Sequence, residues 1–112
     1  MFYIKVQPNP ENQTYTLLES VIIEGIKINA PFEWNGASVP RILWEEIGCP
    51  FDPRFMVPSM VHDFLYQFGE GYTRKKADKL FRKLLIANNV DEALAKSMYA
   101  GVRLGGKNYW KS

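Results

Sequence analysis

Histidine is used once in these 112 residues, in the run His62-Asp63-Phe64-Leu65-Tyr66. An imidazole titrates close to neutrality, so it can take a proton from water or a hydroxyl and hand it back. Asp63 is its neighbour, but adjacent side chains on a helix diverge by about 100°, so each must find a partner elsewhere. Tyr66 lies four residues on and shares the face of His62. A carboxylate at Asp78, reaching back from a following helix, would hold one ring N–H and raise the basicity of the other nitrogen. Asp63, turned another way, would suit a hard cation together with loop carbonyls. The same residues also admit a structural reading, with His62 half-buried on backbone partners and Asp63 a solvated helix acid.

The elements that must position these groups follow from the patterning. Thr14 to Leu18, Val21 to Ile23 and Ile26 to Ile28 are β-branched or alternating and predict strands, with Glu24-Gly25 as a hairpin turn. Pro31 closes the strand region, and an irregular stretch rich in Pro, Gly and Trp runs from Glu33 to Val57. The second half predicts helices. Pro58 fits the first position of a helix to Phe68, with Gly69 beyond its end. Thr73 caps a second, from Arg74 to Ala87, ended by Asn88-Asn89. Asp91 caps a third, from Glu92 to Leu104, stopped by Gly105-Gly106. Val61, Phe64, Leu65 and Phe68 stripe the first. Ala77, Leu80, Phe81, Leu84 and Leu85 stripe the second; Leu94, Met98 and Val102 the third. Asp78 flanks the second stripe. Two helices joined by a short turn pack antiparallel, which brings Asp78 within reach of His62. The expected architecture is one α+β domain over 1–112: an antiparallel β-hairpin or meander, a loop with a short helix, then three α-helices.

Composition narrows the function classes. Apolar content of 46% is enough for a core, and a net charge of +2 is too small to predict nucleic-acid binding. The single cysteine, Cys49, forms no internal disulfide and reads as a small apolar residue. The first residues are broken early by Pro8, unlike a secretory signal, and no apolar run reaches membrane-helix length. These features make a soluble cytosolic protein the default expectation.

In the middle stretch, Asn35-Gly36 signals a turn, and Ser38 is positioned to cap a short helix through Arg41 to Ile47. Ser38 lacks the glycine elbow of nucleophilic serines. The basic run Arg74, Lys75, Lys76, Lys79, Arg82 and Lys83 reads as a solvated helix face, with phosphate as the alternative partner. Arg103, one turn after Tyr99, is placed to bond Asp63 or Asp78, or an anion. Lys107 to Ser112 is either a tail packed on the body or an exposed aromatic foot.

Phe32-Glu33-Trp34-Asn35-Gly36-Ala37-Ser38-Val39-Pro40-Arg41, with Leu43-Trp44 and His62-Asp63-Phe64-Leu65-Tyr66, resembles a family of small bacteriophage and prophage proteins carried as a domain of unknown function. The resemblance extends through Asp78-Lys79-Leu80-Phe81 and the stretch from Met98 to Gly105. Asn35 stands where that family's loop has an aspartate. The H-D-x-x-Y helix followed by D-x-x-F is also similar to secreted phospholipases A2. That similarity implies His62 as general base for water, Asp78 as the group that orients it, and Tyr66 beside them. It implies a calcium ion on Asp63 with Asn35 and Gly36 of the preceding loop. The disulfides that hold those enzymes together are missing here. The reading adopted is a small phage-type accessory protein that binds a host or virion protein, with a structural or vestigial His-Asp-Tyr site and with Ser38, Arg41 and Arg103 as binding residues. The alternative is a calcium-dependent ester hydrolase acting on phospholipid.

Overall fold

A computed structural model describes residues 4–12, 14–35 and 53–111. Gly36, Ser38, Arg41 and Cys49, and the short helix expected to reach Ile47, lie outside the described residues. Among the described residues five strands come first: β1 (Val6–Asn9), β2 (Thr14–Leu17), β3 (Val21–Ile23), β4 (Ile26–Ile28) and β5 (Phe32–Asn35). Among the described residues three α-helices follow, α1 (Pro53–Phe68), α2 (Arg74–Ala87) and α3 (Glu92–Gly105), then a short 3-10 turn at Lys107–Tyr109. This is the α+β order read from the sequence.

The strands form two antiparallel units. One sheet has the order β1-β2-β5, and β3 pairs with β4 as a separate hairpin inserted between β2 and β5. Glu24 and Gly25 both take positive φ at the hairpin tip, 52° and 76°, the conformation of the tight turn that matches strand twist. Register sets Tyr15 opposite Trp34 and Leu17 opposite Phe32. Those four side chains are buried, while Thr14, Thr16 and Glu33 meet on the other face around Asn9. The sheet packs on α1. Phe32 meets Phe64 edge-on with centroids 5.5 Å apart, and the Trp34 indole N–H donates to Ser59 Oγ at 3.1 Å.

Several sequence expectations need correction. Pro31 does not close the strand region, since Phe32–Asn35 forms a further strand, β5, with alternating buried and exposed residues. Pro58 lies inside α1, which starts five residues earlier at Pro53. Pro53 takes the position where a missing N–H costs nothing, and Pro58 is carried by burial of the surrounding helix. Phe68 ends the expected apolar stripe but is 56% exposed, its ring lying at the edge of the core against Phe32 and Phe64. Thr73 does cap α2, accepting from the Lys76 N–H at 3.2 Å. Asp91 holds the N-cap position of α3 but makes no side-chain capping bond.

The helices pack in chain order, α2 against α1 and α3 against α2. A second apolar cluster, including Phe81, Leu85, Ala95, Met98 and Val102, fills the space between α2 and α3. Gly106 ends α3, its N–H donating to Val102 O at 2.8 Å. Among the described residues, no helix is long and apolar enough to cross a membrane.

Candidate functional site

The α1–α2 seam buries three polar groups of one network, His62, Tyr66 and Asp78. His62 and Asp78 are 4% and 0% exposed, so both must find partners inside the protein. His62 Nε2–H donates to Asp78 Oδ1 at 2.6 Å, and Tyr66 Oη–H donates to the same oxygen at 2.6 Å. The other oxygen, Oδ2, accepts from Arg103 Nη1 at 2.8 Å. Arg74, one turn before Asp78, adds an ion pair to Oδ2 at 3.6 Å. One carboxylate therefore joins all three helices.

The positions follow from helix periodicity. His62 and Tyr66 lie one turn apart on α1, and their rings stack tilted with centroids 4.2 Å apart. Phe81 closes another side of the imidazole at 4.7 Å. Asp78 sits one turn after Arg74 and one turn before the buried Phe81. Trp110 packs edge-on against Tyr66 at 5.2 Å, and the Lys111 N–H donates to Tyr66 O at 2.9 Å. The tail after α3 therefore packs on α1, although Tyr109 stays 69% exposed.

Proton equilibria follow this packing. Burial pushes the His62 pKa below its usual 6.5; the Asp78 bond opposes this, and Arg74 adds to the lowering. The imidazole is therefore neutral at neutral pH. Its proton stays on Nε2, facing the carboxylate, which assigns basicity to Nδ1. Burial alone would raise Asp78, but hydrogen bonds from His62, Tyr66 and Arg103 hold it below the usual 3.8. Burial and the Asp78 bond push Tyr66 up to about 12, so it stays a phenol that donates.

Asp63 is turned away from this network, as adjacency on a helix requires. It is half-buried, accepts from Gln67 Nε2 at 3.3 Å, and is pushed up to about 6 chiefly by burial. An acid left so weakly compensated has the chemistry of a cation ligand. Asn35 is exposed at the end of β5. No cluster of three or more acids, histidines or cysteines occurs among the described residues. Those residues alone thus supply one carboxylate and fall short of the six to eight oxygens a calcium ion takes.

The structure brings together His62, Tyr66, Asp78 and Arg103, with Arg103 on Asp78 rather than on Asp63. It also corrects the reading of Arg74 as part of a solvated face. Arg74 turns inward, donating to Val102 O at 3.2 Å and Arg103 O at 3.3 Å as well as lying 3.4 Å from Tyr66 Oη. A cation there serves the carbonyl end of α3. The signal was the four-residue spacing from Arg74 to Asp78. Gly106 was read only as a helix stop, yet a Cβ on it would fall 2.5 Å from Tyr66 Oη and 2.5 Å from Val102 O.

Comparison with known proteins gives the chain a family and a distant relative. The profile of a family described as "Protein of unknown function (DUF1353)" matches residues 13–102. The uncharacterized protein y4jT of Sinorhizobium fredii (strain NBRC 101917 / NGR234) is 31% identical over 75 residues, 67% of this chain. The match spans only 22% of that protein's length. No solved structure matches.

Proposed function

The chain belongs to the DUF1353 family, and we propose that it is a hydrolase in which His62 is the general base and Asp78 its positioning residue. The observation that carries this reading is the 2.6 Å bond from His62 Nε2 to Asp78 Oδ1. With the ring neutral, that bond supports a proton on Nε2 and makes Nδ1 the nitrogen that would accept one, and Arg103, Arg74 and Tyr66 hold the carboxylate. In the proposed step Nδ1 takes a proton from water as the water oxygen bonds to an ester carbonyl carbon. The C–O bond to the leaving group then breaks, and the same proton passes from Nδ1 to the departing alkoxide. The substrate class is a carboxylic ester, with phospholipid first to be tried. If a cation takes part, Asp63 is the described residue that would hold it, and a bound calcium would supply a Lewis acid beside the base. No step above depends on that ion.

The test is fatty-acid release from phospholipid vesicles, with and without millimolar calcium, by wild type and His62→Gln. Hydrolysis that falls by roughly 100-fold or more in the variant supports the base. A wild type no faster than buffer under either condition ends this reading.

A second reading rests on a different observation: His62 is 4% exposed and Asp78 fully buried, the pattern of a core polar network. In that reading the protein is a phage-type accessory factor that binds a host or virion protein. Its His-Asp-Tyr cluster only clamps the helices, and any contact surface lies elsewhere.

A further inference from the structure

Roughly a quarter-turn around α2 from Asp78, an open cavity of about 390 Å³ lies against α3, with Ile86 and Tyr99 on it and Lys79, Arg82 and Lys83 around it. Lys79, Arg82, Lys83 and Ile86 follow helical spacing, so one face of α2 presents three cations and an apolar side chain together. Among the described residues, Glu24 is the one carboxylate that meets these cations, on Lys83 at 3.1 Å. That pair is exposed and contributes little, so it yields readily to a competing acid.

The shape selects among anionic partners. A bilayer surface is met by protruding apolar side chains, whereas here Ile86 is only 38% exposed and Tyr99 half-buried, set between two helices. A recess with an apolar floor and a cationic rim fits a chain that carries acids and an apolar anchor together. We propose that this groove binds an acidic peptide segment of a partner protein, seating an apolar or aromatic side chain against Ile86 and Tyr99 and carboxylates on Lys79, Arg82 and Lys83. This surface is separate from the His62 network and stands whether or not that network is catalytic.

The experiment is fluorescence anisotropy with a fluorescein-labelled copolymer of glutamate and tyrosine, beside labelled polyglutamate. Phosphatidylglycerol vesicles are tested by co-sedimentation. The copolymer is expected to bind about tenfold more tightly than polyglutamate. Lys79→Glu with Arg82→Glu should abolish binding of both polymers, and Ile86→Ser should bring the copolymer down to the polyglutamate level. If the charge reversals do not fold, Lys79→Gln with Arg82→Gln serves, folding being checked by melting. Equal affinity for the two polymers overturns the proposal, as does copolymer binding that survives the substitutions at positions 79 and 82. Vesicle binding with the same dependence on those two residues overturns it in favour of a lipid surface.

Discussion

Arg103 and Asp78 meet at 2.8 Å across the seam between α2 and α3, on the carboxylate oxygen that His62 does not use. The division matters. Oδ1 orients the imidazole from α1, while Oδ2 is occupied by guanidinium groups from α3 and from the first turn of α2. Hydrogen bonds from His62, Tyr66 and Arg103 keep the carboxylate ionised inside the protein against the effect of burial, and an ionised carboxylate is what holds the Nε2 proton in place. The group that would make His62 a base is also the group that ties the helices together, so chemistry and stability have to be separated by measurement.

Removing that carboxylate is expected to be costly. In Asp78→Ala, Arg103, Arg74, His62 and Tyr66 all lose an acceptor in or near the core. Truncating one partner of a buried charged network costs about 3–5 kcal/mol. Urea unfolding of Asp78→Ala should show a loss of that size. A loss under about 1 kcal/mol would mean that water enters the seam and satisfies the remaining groups.

His62→Gln separates the two roles of the ring. Glutamine retains a donor for Asp78 but has no titrating nitrogen, so it should cost only about 1 kcal/mol. Ester hydrolysis by the same variant should be abolished if Nδ1 is the base. Equal activity in both proteins, at matched stability, would assign the ring to packing alone.

How much of this was legible in the sequence depended on the range of the signal. The helices were legible because Thr73, Asn88 and Gly106 punctuate strong periodicity, and the reach of Asp78 to His62 followed from two antiparallel helices with facing stripes. β1 was not, because Pro8 and Pro10 mask a strand that only its pairing with β2 reveals. β5 carried the right alternation in Phe32-Glu33-Trp34-Asn35, but its partner β2 lies beyond an inserted hairpin and Pro31 stands before it. The four-residue spacing to Asp78 pointed Arg74 inward, but its bonds to the carbonyl end of α3, some 28 residues on, are encoded by no local pattern. The closeness of Gly106 to Tyr66 is likewise a product of packing.

The pH dependence of stability should carry two opposed contributions. His62 has its folded pKa lowered from 6.5, so its contribution is complete above 6.5 and is lost as pH falls below that value through the lowered folded one. Asp63 is raised from 3.8 to about 6, so its contribution is present below 3.8 and is lost as pH rises through about 6. Between pH 4 and 6.5 the two partly cancel. Asp63→Asn removes one of them. The variant should gain on the order of 1 kcal/mol over wild type at pH 8, gain nothing near pH 3.5, and lose stability more steeply on acidification. Urea midpoints across pH 3.5–8 check this. Adding calcium gives a further arm, since a cation on Asp63 would raise the wild-type midpoint at pH 8 and leave Asp63→Asn unmoved.

Gly106 gives the sharpest test of how tightly the site is closed. Its φ of −85° is open to any residue, so conformational strain is not the reason for glycine. Space is the reason, because an added Cβ would lie 2.5 Å from Tyr66 Oη and 3.1 Å from Arg74 Nη1. It would also lie 2.5 Å from Val102 O, which belongs to the backbone and cannot swing aside. Gly106→Ala should therefore destabilise by about 1–3 kcal/mol, the range for overpacking a close contact. Tyr66→Phe removes one of the two obstructions, so the double variant should lose less than the sum of the single losses, with a coupling of at least about 0.5 kcal/mol. Strict additivity would mean that the Val102 carbonyl alone sets the limit and that the Tyr66 hydroxyl moves without cost. Because that hydroxyl shares Asp78 Oδ1 with His62, the pH profile of any hydrolysis should shift in Gly106→Ala as well.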